Sequence, residues 1–581
     1  MIIKTGPQSG PEGPCKEEMK EGAQGEDPNS SLVTPIPINI IPSVGQQVRL
    51  RRSISIFYIY LFHYGSNCQL CCWLYCFGNS ANMRMEGSEL GVVEAKADRE
   101  VPERAGIQGK SIQTVVWRHK RDDINNKSCK IQSHGPVLRR YHPTRPTIPP
   151  LLCPTSRSKN YFQWIGPTPR VTITDPKLIK EILHNYEAFQ KSAMNPLGKL
   201  LVRGLGSCEC EEWVKHRNLL NPAFHLEKLK HMVPAMYSSC SEMISKWEVL
   251  VSSTKGSCEV DVWPYLENLT GDVISRTAFG SNYEEGQRIF KLQKEQFNTI
   301  MQLLQSIYIP GSRFLPTKTN TKIKTIYEEV RSLMRNIIIN KKKRTMKGDG
   351  DNDLLGILLK TNLKASQEQG NKKITLTTDE VIEECKLFYF AGQETTSALL
   401  VWTMYLLSKH QKWQALAREE ALAVFGDNKP TYEGLNQLKT ITMILYEVLR
   451  LYPPAAHILR AIHKPTRLGE LVLPAGVEFT LPVMAIQHDP EIWGEDALEF
   501  KPERFSEGIT KATKGQGTFF PFSGGPRICI GQNFAMLESK IALATILRHF
   551  TFQLSPSYVH SPFNVVTIQP QHGAQFILQK I

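Results

Sequence analysis

Residues 522–531 read FSGGPRICIG, and the stretch QNFAMLESKIALATILRH follows directly over residues 532–549. In the second stretch, apolar residues recur at intervals of three and four, which is typical of a helix with one buried face. Five positions of the first segment form the pattern of interest: Phe522, Gly525, Arg527, Cys529 and Gly531. At average residue usage, these five residue types at this spacing occur by chance on the order of once in ten thousand chains of this length. The segment therefore indicates a dedicated chemical site.

The chemistry of a cysteine thiolate explains these residue types. A thiolate binds metal and is stabilised by cations, helix N-termini and backbone N–H groups, and Cys529 precedes a predicted helix start, where N–H groups lack partners. Gly525 and Gly531 allow a sharp turn and a close approach of the backbone to a flat ring, and Phe522 can pack on that ring. Arg527 can pair bidentately with a carboxylate. The pattern favours a thiolate ligand for haem iron, with a buried structural cysteine in a turn as the simpler alternative.

The segment resembles the haem-binding loop of the cytochrome P-450 family. The resemblance implies haem b held by an axial thiolate from Cys529, with a haem propionate paired to Arg527. In such proteins the thiolate pushes electron density toward the iron and favours O–O cleavage. The resemblance also implies a mainly α fold with small β-sheets, in which the haem lies between a long distal helix and a proximal helix preceded by the cysteine loop.

A long helix is predicted to open in the segment 377–382 and to end near His410. Thr377 and Glu380 have capping-box spacing, and two acids in the first turn suit the helix dipole. The apolar run that follows predicts a helix of about 30 residues, which is well above the average length. Inside it lies AGQETT, residues 391–396, where a mid-helix glycine costs about 1 kcal/mol relative to alanine. Such a locally unfavourable sequence indicates a functional constraint, although an ordinary helix with one polar kink would also account for it.

The AGQETT motif resembles the family's oxygen-activation site. Ala391 and Gly392 would leave room for a ligand against the helix backbone. The hydroxyl of Thr395 has two available roles, since it can bond the carbonyl four residues earlier or a bound oxygen species. The resemblance assigns proton delivery to Thr395, to the neighbouring acid Glu394 and to water.

Glu447 and Arg450 lie three residues apart in a predicted helix over residues 440–451. An exposed pair of this kind contributes only about 0.2–0.5 kcal/mol, so this motif alone is a weak signal. Together with Arg504 of the downstream segment PERF, the two residues resemble the family's buried Glu-Arg-Arg cluster. That cluster fixes the loop before the haem cysteine.

Trp213 and Arg217 are four residues apart on one face of a predicted helix. They resemble the family's propionate-binding pair, and Arg460 stands where many relatives have another propionate cation. Core packing for Trp213 and a solvated charge for Arg217 are the simpler interpretations. The order of all these motifs along the chain favours the family assignment.

Residues 1–155 differ in kind from the rest, being rich in Gly, Pro, Ser and charge. Their apolar stretch 54–77 has no charged residue and is long enough to span a bilayer, but polar residues interrupt its centre. A membrane span, an interfacial piece and disorder stay open, whereas a secretory signal peptide is excluded by the distance from Met1. This stretch contains four cysteines: Cys68, Cys71, Cys72 and Cys76. A zinc site is not expected there, because no second pair of ligands follows at the spacing that zinc sites use. Residues 156–581 are predicted to form one catalytic domain without the family's usual first helix.

Several local elements are also predicted. Residues 161–174 alternate like a strand pair around Gly166-Pro167, Asp175 is a candidate N-cap, and segments 469–481 and 565–578 resemble late strands. The basic run Lys341–Arg344 with the loop to Asp353 is predicted to be a solvated surface connection.

From about residue 160 onward, the sequence resembles a plant group of the family that includes secologanin synthase and oxidases of triterpenoids and gibberellins. The matching stretches include NPAFH at 221–225 and QHDP at 487–490. The resemblance implies a monooxygenase of plant secondary metabolism that inserts one atom of O₂ into a C–H bond of an apolar, terpenoid substrate. An access lid is expected around residues 303–315.

The implied partner is NADPH-cytochrome P-450 reductase, which would deliver electrons from NADPH at the cytosolic face of the endoplasmic reticulum membrane. The net charge of +14 suits an acidic electron donor or an anionic membrane surface, and no nucleic-acid partner is expected. Two other functions stay open. A haem-thiolate isomerase or dehydratase of the allene oxide synthase type needs no proton relay, so Glu394 and Thr395 argue against it. An inactive haem-binding product is the other, motivated by the atypical N-terminal region.

Overall fold

The computed structural model describes residues 160–581 except for 166–167, 193–197, 202, 255, 281–282, 305–313, 348–352, 370–374 and 565. The described residues belong to one compact unit, Ser111–Ile581. The predicted N-terminal region 1–155, with its apolar stretch and its cysteine group, lies outside the described residues, as does most of the expected lid. Within the described part of the chain, no helix combines the length and the apolar character needed to cross a membrane.

Helices make up most of the described structure, and short 3₁₀ helices connect several of them. The 3₁₀ helices that bear on the site are Gly204–Gly206, Asn221–Phe224, Pro502–Phe505 and Gly525–Arg527. The α-helices are α1 (Pro176–His184), α2 (Gly198–Leu201), α3 (Cys210–Leu220), α4 (Leu226–Lys230), α5 (Val233–Ser252), α6 (Trp263–Phe279), α7 (Tyr283–Leu304), α8 (Lys318–Met346), α9 (Leu354–Gln369), α10 (Thr378–Lys409), α11 (Gln411–Phe425), α12 (Tyr432–Gln437), α13 (Lys439–Leu451), α14 (Val483–Gln487), α15 (Pro490–Trp493), α16 (Ile509–Ala512) and α17 (Gln532–His549).

The strands form small sheets at the edges of the helical body. They are β1 (Tyr161–Ile165), β2 (Thr168–Thr172), β3 (Ser257–Asp261), β4 (Ile458–Ala461), β5 (Thr466–Leu468), β6 (Leu471–Leu473), β7 (Glu478–Leu481), β8 (Phe550–Leu554), β9 (Pro562–Asn564), β10 (Ile568–Pro570) and β11 (Gln575–Lys580). The sheet that bears on the site has the order β1-β2-β7-β4, in which β2 and β7 are parallel and the other pairs antiparallel. A three-stranded sheet has the order β3-β11-β8.

The long helix α10 crosses the middle of the helical body. Both halves of the predicted capping box are present, since Thr377 Oγ1 accepts from Glu380 N and Glu380 Oε2 accepts from Thr377 N. Most side chains of α10 are buried, and the helix packs on α6, α8, α13 and α17. Its apolar residues contribute to the main hydrophobic cluster, so the predicted core-crossing helix is confirmed.

The local predictions at the start of the domain are confirmed as well. β1 and β2 pair over Tyr161–Thr172, and the Asp175 side chain accepts from Lys177 N at 2.7 Å as the N-cap of α1. A second hydrophobic cluster joins α1 to this sheet. Strands β6, β7, β10 and β11 occupy parts of the two segments predicted to be late strands.

The predicted solvated character of Lys341 is wrong. Helix α8 continues through Met346, and this places Lys341 against the end of α6, where only 1% of its surface is exposed. Its ammonium group donates to Phe279 O at 3.1 Å and pairs with the buried carboxylate of Asp353. Lys342 and Lys343 are exposed as predicted. The difference follows from helical geometry, because successive residues of a helix face different directions.

Glu447 and Arg450 form a fully buried pair on α13. Arg450 Nε donates to Glu447 Oε2 at 2.8 Å, and Arg450 Nη2 donates to Glu447 Oε1 at 2.7 Å. The remaining donor, Arg450 Nη1, reaches the carbonyls of Gln487 at 2.8 Å and Ala497 at 2.6 Å. Arg504 Nε lies 3.5 Å from Glu447 Oε1. The pair therefore connects α13 to the segment that leads to the cysteine loop.

We predict that Glu447→Ala destabilises the protein by about 3–5 kcal/mol, because it leaves the Arg450 guanidinium buried without its counter-charge. Thermal and denaturant unfolding of the purified protein would measure the loss. Glu503→Ala is the control, since Glu503 is an exposed acid of the neighbouring 3₁₀ helix. A Glu447→Ala protein as stable as the control would contradict the prediction.

Candidate active site

A cavity of about 430 Å³ lies where α10, β4 and the loop before α17 meet. Most of the side chains around it are apolar, among them Phe224, Ile274, Phe388, Leu449 and Ile458. The polar groups at its surface are few and are mainly the residues that the sequence motifs single out. Such a cavity is typical of a small-molecule or cofactor site, where a few polar groups orient a largely apolar ligand.

Cys529 borders this cavity just before the start of α17. Its N–H donates to Phe522 O at 2.9 Å, which closes the loop, and its side chain is exposed toward the cavity. Burial raises the pKa of the Cys529 thiol, and the Gly531 backbone together with the charge of Arg217 lowers it by a smaller amount. The helix start and the nearby cation favour the thiolate, but withdrawal of the sulfur from bulk water has the larger effect on its pKa. Ionisation at neutral pH needs a further positive charge at the sulfur, such as a bound metal ion.

Positions 525 and 531 of the loop favour glycine for different structural reasons. Gly525 has φ +66°, and a Cβ at this position would clash with the carbonyl of Leu183 at the end of α1. Its lack of a side chain therefore allows the loop to pack against α1. A Cβ on Gly531 would lie 3.9 Å from Cys529 Sγ, an ordinary contact, and Gly531 borders the cavity.

Four cations of the described residues line the cavity: Lys191, Arg217, Arg460 and Arg527. Arg217 Nη1 donates to Ile528 O at 2.8 Å, which fixes it beside the cysteine loop. Burial and the charge of Arg527 lower the pKa of Arg460 to about 10 and that of Lys191 to about 8. These cations repel one another in a poorly solvated site, so a ligand with negative groups would be stabilised there. No sequence motif indicated that Lys191 belongs to the site. It lies in the segment after α1.

Arg527 has a carboxylate partner that the sequence did not reveal. Its Nη1 donates to Glu209 Oε1 at 2.8 Å, and Nη2 pairs with Glu209 Oε2. The guanidinium also lies 4.9 Å from the centre of the buried Trp213 ring and borders the cavity. Trp213 and Arg527 are thus brought together by α3 and the cysteine loop, more than 300 residues apart in the chain, and no pattern of spacing could predict that.

The AGQETT motif of α10 divides between two sides of the helix. Ala391, Gly392 and Thr395 line the cavity, and Thr395 Oγ1 donates to Ala391 O at 2.7 Å. Glu394 is buried against β10, where its Oε2 accepts from Gln569 Nε2 at 2.6 Å. Burial, followed by the negative charge of Glu267, raises the pKa of Glu394 to about 7. The motif thus supplies a hydroxyl at the cavity and an acid beside it that titrates near neutral pH.

The described residues fit a haem. A haem is a flat apolar ring with two carboxylates and an iron that takes an axial ligand. The cavity supplies apolar walls, cations for carboxylates, and a thiol whose ionisation calls for a metal.

The chain matches the cytochrome P450 family over residues 158–576. It is 58% identical to cytochrome P450 CYP72A219 of Panax ginseng over 430 residues, which cover 74% of this chain and 83% of that protein. It is 56% identical to 7-deoxyloganic acid hydroxylase of Catharanthus roseus over 433 residues, which cover 73% of this chain and 83% of the relative. The cytochrome P450 72A397 of Kalopanax septemlobus is 54% identical over 483 residues, covering 82% of this chain and 92% of that protein.

A solved structure has the same fold. The structure of retinoic acid bound cyanobacterial CYP120A1 superposes with a TM-score of 0.62 and 24% sequence identity, covering 73% of this chain and 92% of that one. It confirms the predicted fold class. Together with the family match and the relatives, it shows that the chain belongs to the cytochrome P450 family and is a haem-thiolate monooxygenase, which receives its electrons from a redox partner and acts on a small substrate.

Proposed function

We propose that the Cys529 thiolate would hold the haem iron and that the cavity beside it would hold the haem and the substrate. The observation that carries this assignment is the position of the Cys529 side chain in a cavity that Ala391, Gly392 and Thr395 of α10 also line. When bound, the haem supplies the reductive activation of dioxygen. The protein supplies the ligand, the orientation of the ring and the protons.

The cations of the cavity hold the haem carboxylates in this proposal. Arg217 and Arg460 serve as direct donors, and Lys191 joins them. Arg527 is fixed by Glu209 and packs on Trp213, so it supplies a positive charge whose position does not change on binding. Preorganised donors of this kind cost little to orient at the moment of binding. Phe522, Gly525 and Gly531 shape the loop, and the cluster of Glu447, Arg450 and Arg504 fixes the segment before it.

Thr395 and Glu394 act as the proton-delivery pair in this proposal. The Thr395 hydroxyl borders the cavity and bonds the Ala391 carbonyl, so a modest rotation re-aims its proton toward a ligand. Glu394, held by Gln569, is an acid with a pKa about 7, which matches the working pH of a general acid. This arrangement supports a monooxygenase rather than an isomerase, because an isomerase needs no proton supply.

The substrate class is an apolar terpenoid. The apolar walls of the cavity and the relative that hydroxylates 7-deoxyloganic acid support this class. The electron donor is NADPH-cytochrome P-450 reductase, and the enzyme works at the cytosolic face of the endoplasmic reticulum membrane. The net charge of +14 supports docking to an acidic donor or an anionic membrane surface.

We predict that Cys529→Ser abolishes the carbon-monoxide difference band of thiolate-ligated haem, because a serine hydroxyl does not replace a thiolate as iron ligand. Reduced difference spectra of the purified protein would show the loss. Cys258→Ser is the control, since Cys258 is a partly exposed cysteine of β3 and far along the chain from the loop. An unchanged band in Cys529→Ser would overturn the assignment of the ligand.

Thr395→Ala should keep the haem spectrum and lower the product formed per NADPH consumed by roughly a hundredfold, the low end of losses when a positioned proton donor is removed. Peroxide should rise in proportion, since electrons then leave without product. Product, peroxide and NADPH would be measured with a terpenoid that shifts the wild-type haem spectrum. Thr403→Ala is the matched control, because Thr403 makes the same bond, 2.7 Å to Leu399 O, in the buried part of α10. Equal coupling in the two variants would contradict the relay.

Product formed per NADPH should fall as the pH rises through about 7, the pKa of Glu394. Below this pH the raised pKa keeps the acid protonated and able to donate, and above it the carboxylate predominates. The measurement is the pH profile of coupling in wild type and in Glu394→Gln, whose profile should be flat and low. An inflection retained in Glu394→Gln would assign the titration to another group.

A further inference from the structure

We propose that Cys208, Glu212 and His216 form a site for a divalent transition metal, with Zn²⁺ as the natural occupant. The site lies beside the haem cavity but belongs to different residues. It does not depend on the roles assigned to Cys529, Thr395 or Glu394.

The three side chains converge at the start of α3. Glu212 and His216 are four residues apart, which places them on one face of the helix, and Cys208 lies in the turn two residues before the helix begins. One ligand atom from each, a sulfur, a carboxylate oxygen and a ring nitrogen, lies within 4.8 Å of the other two. Cys208 and His216 are buried, whereas Glu212 is exposed, so the site has one open side through which a metal ion can enter.

His216 is arranged as metal-binding histidines are. Only 1% of it is exposed, and its Nδ1 bonds the carboxylate of Glu384 on α10. Its Nε2 is buried and has no hydrogen bond, and the carboxylate of Glu380 lies 3.5 Å away. A carboxylate on one ring nitrogen fixes the ring and leaves the lone pair of the other for a metal. A buried imidazole with one unused nitrogen is otherwise costly.

The supporting carboxylate is itself held in place. Glu384 is fully buried, and its Oε1 accepts from the backbone N–H of Leu205 at 2.8 Å. Gly204, with φ +64°, brings that backbone so close that a Cβ would lie 2.5 Å from Glu384 Oε1. The histidine, its carboxylate and the turn before Cys208 therefore form one rigid unit.

The ligand types select the metal. A thiolate, an imidazole and a carboxylate together suit Zn²⁺, whereas Mg²⁺ and Ca²⁺ prefer oxygen ligands alone. One thiolate and one carboxylate neutralise the two charges of the ion. Water or Glu380 can complete a tetrahedral set.

A metal ion at this site would also affect the haem site, because Cys208 and Glu209 both contact Arg527. The carbonyl of Cys208 accepts from Arg527 Nη1 at 3.3 Å, and the next residue, Glu209, pairs with the same guanidinium. A metal that fixes Cys208 also fixes the partner of Arg527. The metal should therefore raise the thermal midpoint of the haem-loaded protein.

The test uses the haem-loaded enzyme after chelator treatment and dialysis against Zn²⁺. We expect one Zn²⁺ per chain by elemental analysis, and zinc-edge X-ray absorption with one sulfur at about 2.3 Å and nitrogen or oxygen at about 2.0 Å. Cys208→Ser and Glu212→Gln should each weaken Zn²⁺ binding at least tenfold and remove the thermal shift. Glu384→Gln should weaken it by about 10–100-fold, the usual effect of losing a supporting carboxylate.

The matched controls are Cys210→Ser and Glu211→Gln, which change exposed neighbours of the same residue types. Both should bind Zn²⁺ as wild type does. The proposal is overturned if wild type takes up no Zn²⁺, or if the sulfur signal survives Cys208→Ser. It is also overturned if Glu212→Gln, an exposed change that should not disturb folding, binds Zn²⁺ with unchanged affinity.

Discussion

The structure depends on placing charged groups where water is scarce and giving each a partner. Glu447 and Arg450 show this most clearly, since both are fully buried and each guanidinium nitrogen of Arg450 donates a hydrogen bond. A buried pair adds little net stability compared with apolar packing, but the loss of one partner is severe. The pair therefore acts as a geometric constraint. It fixes α13 relative to the chain that approaches the cysteine loop, and the loop in turn sets the position of the thiol.

The cavity shows the opposite arrangement. Its charged groups lie where water is scarce, but the protein compensates their charges only in part. Lys191 and Arg460 have lowered pKa values, and the Cys529 thiol has a raised one. Each shift indicates that the cost of burying the charged form outweighs its favourable interactions within the protein. In the proposed assignment an iron centre and two carboxylates would be the complementary charges, and the haem would complete an electrostatic set that the polypeptide leaves open. The apolar walls strengthen these interactions because they exclude water.

Much of the fold and part of the site could be predicted from the sequence. The capping box at Thr377, the N-cap Asp175 and the β1–β2 pair are local, and local patterns determine them. The partners of the site residues are not local: Glu209 reaches Arg527 and Gln569 reaches Glu394 across long stretches of chain. Only the packing of α3, α10 and the late strands brings them together. The burial of Lys341 is not predictable for the same reason, because a basic run does not indicate which of its members faces α6.

The two halves of the AGQETT motif show how one helix can serve chemistry on two sides. Thr395 borders the cavity, while the adjacent Glu394 turns toward β10 because successive helical residues point about 100° apart. An acid directly in the cavity would compete with the apolar substrate and would be solvated whenever the cavity fills with water. Behind the helix, Glu394 stays desolvated and near its titration point. Separation of the acid from the cavity therefore lets the site remain apolar for a substrate and still hold a proton one residue away.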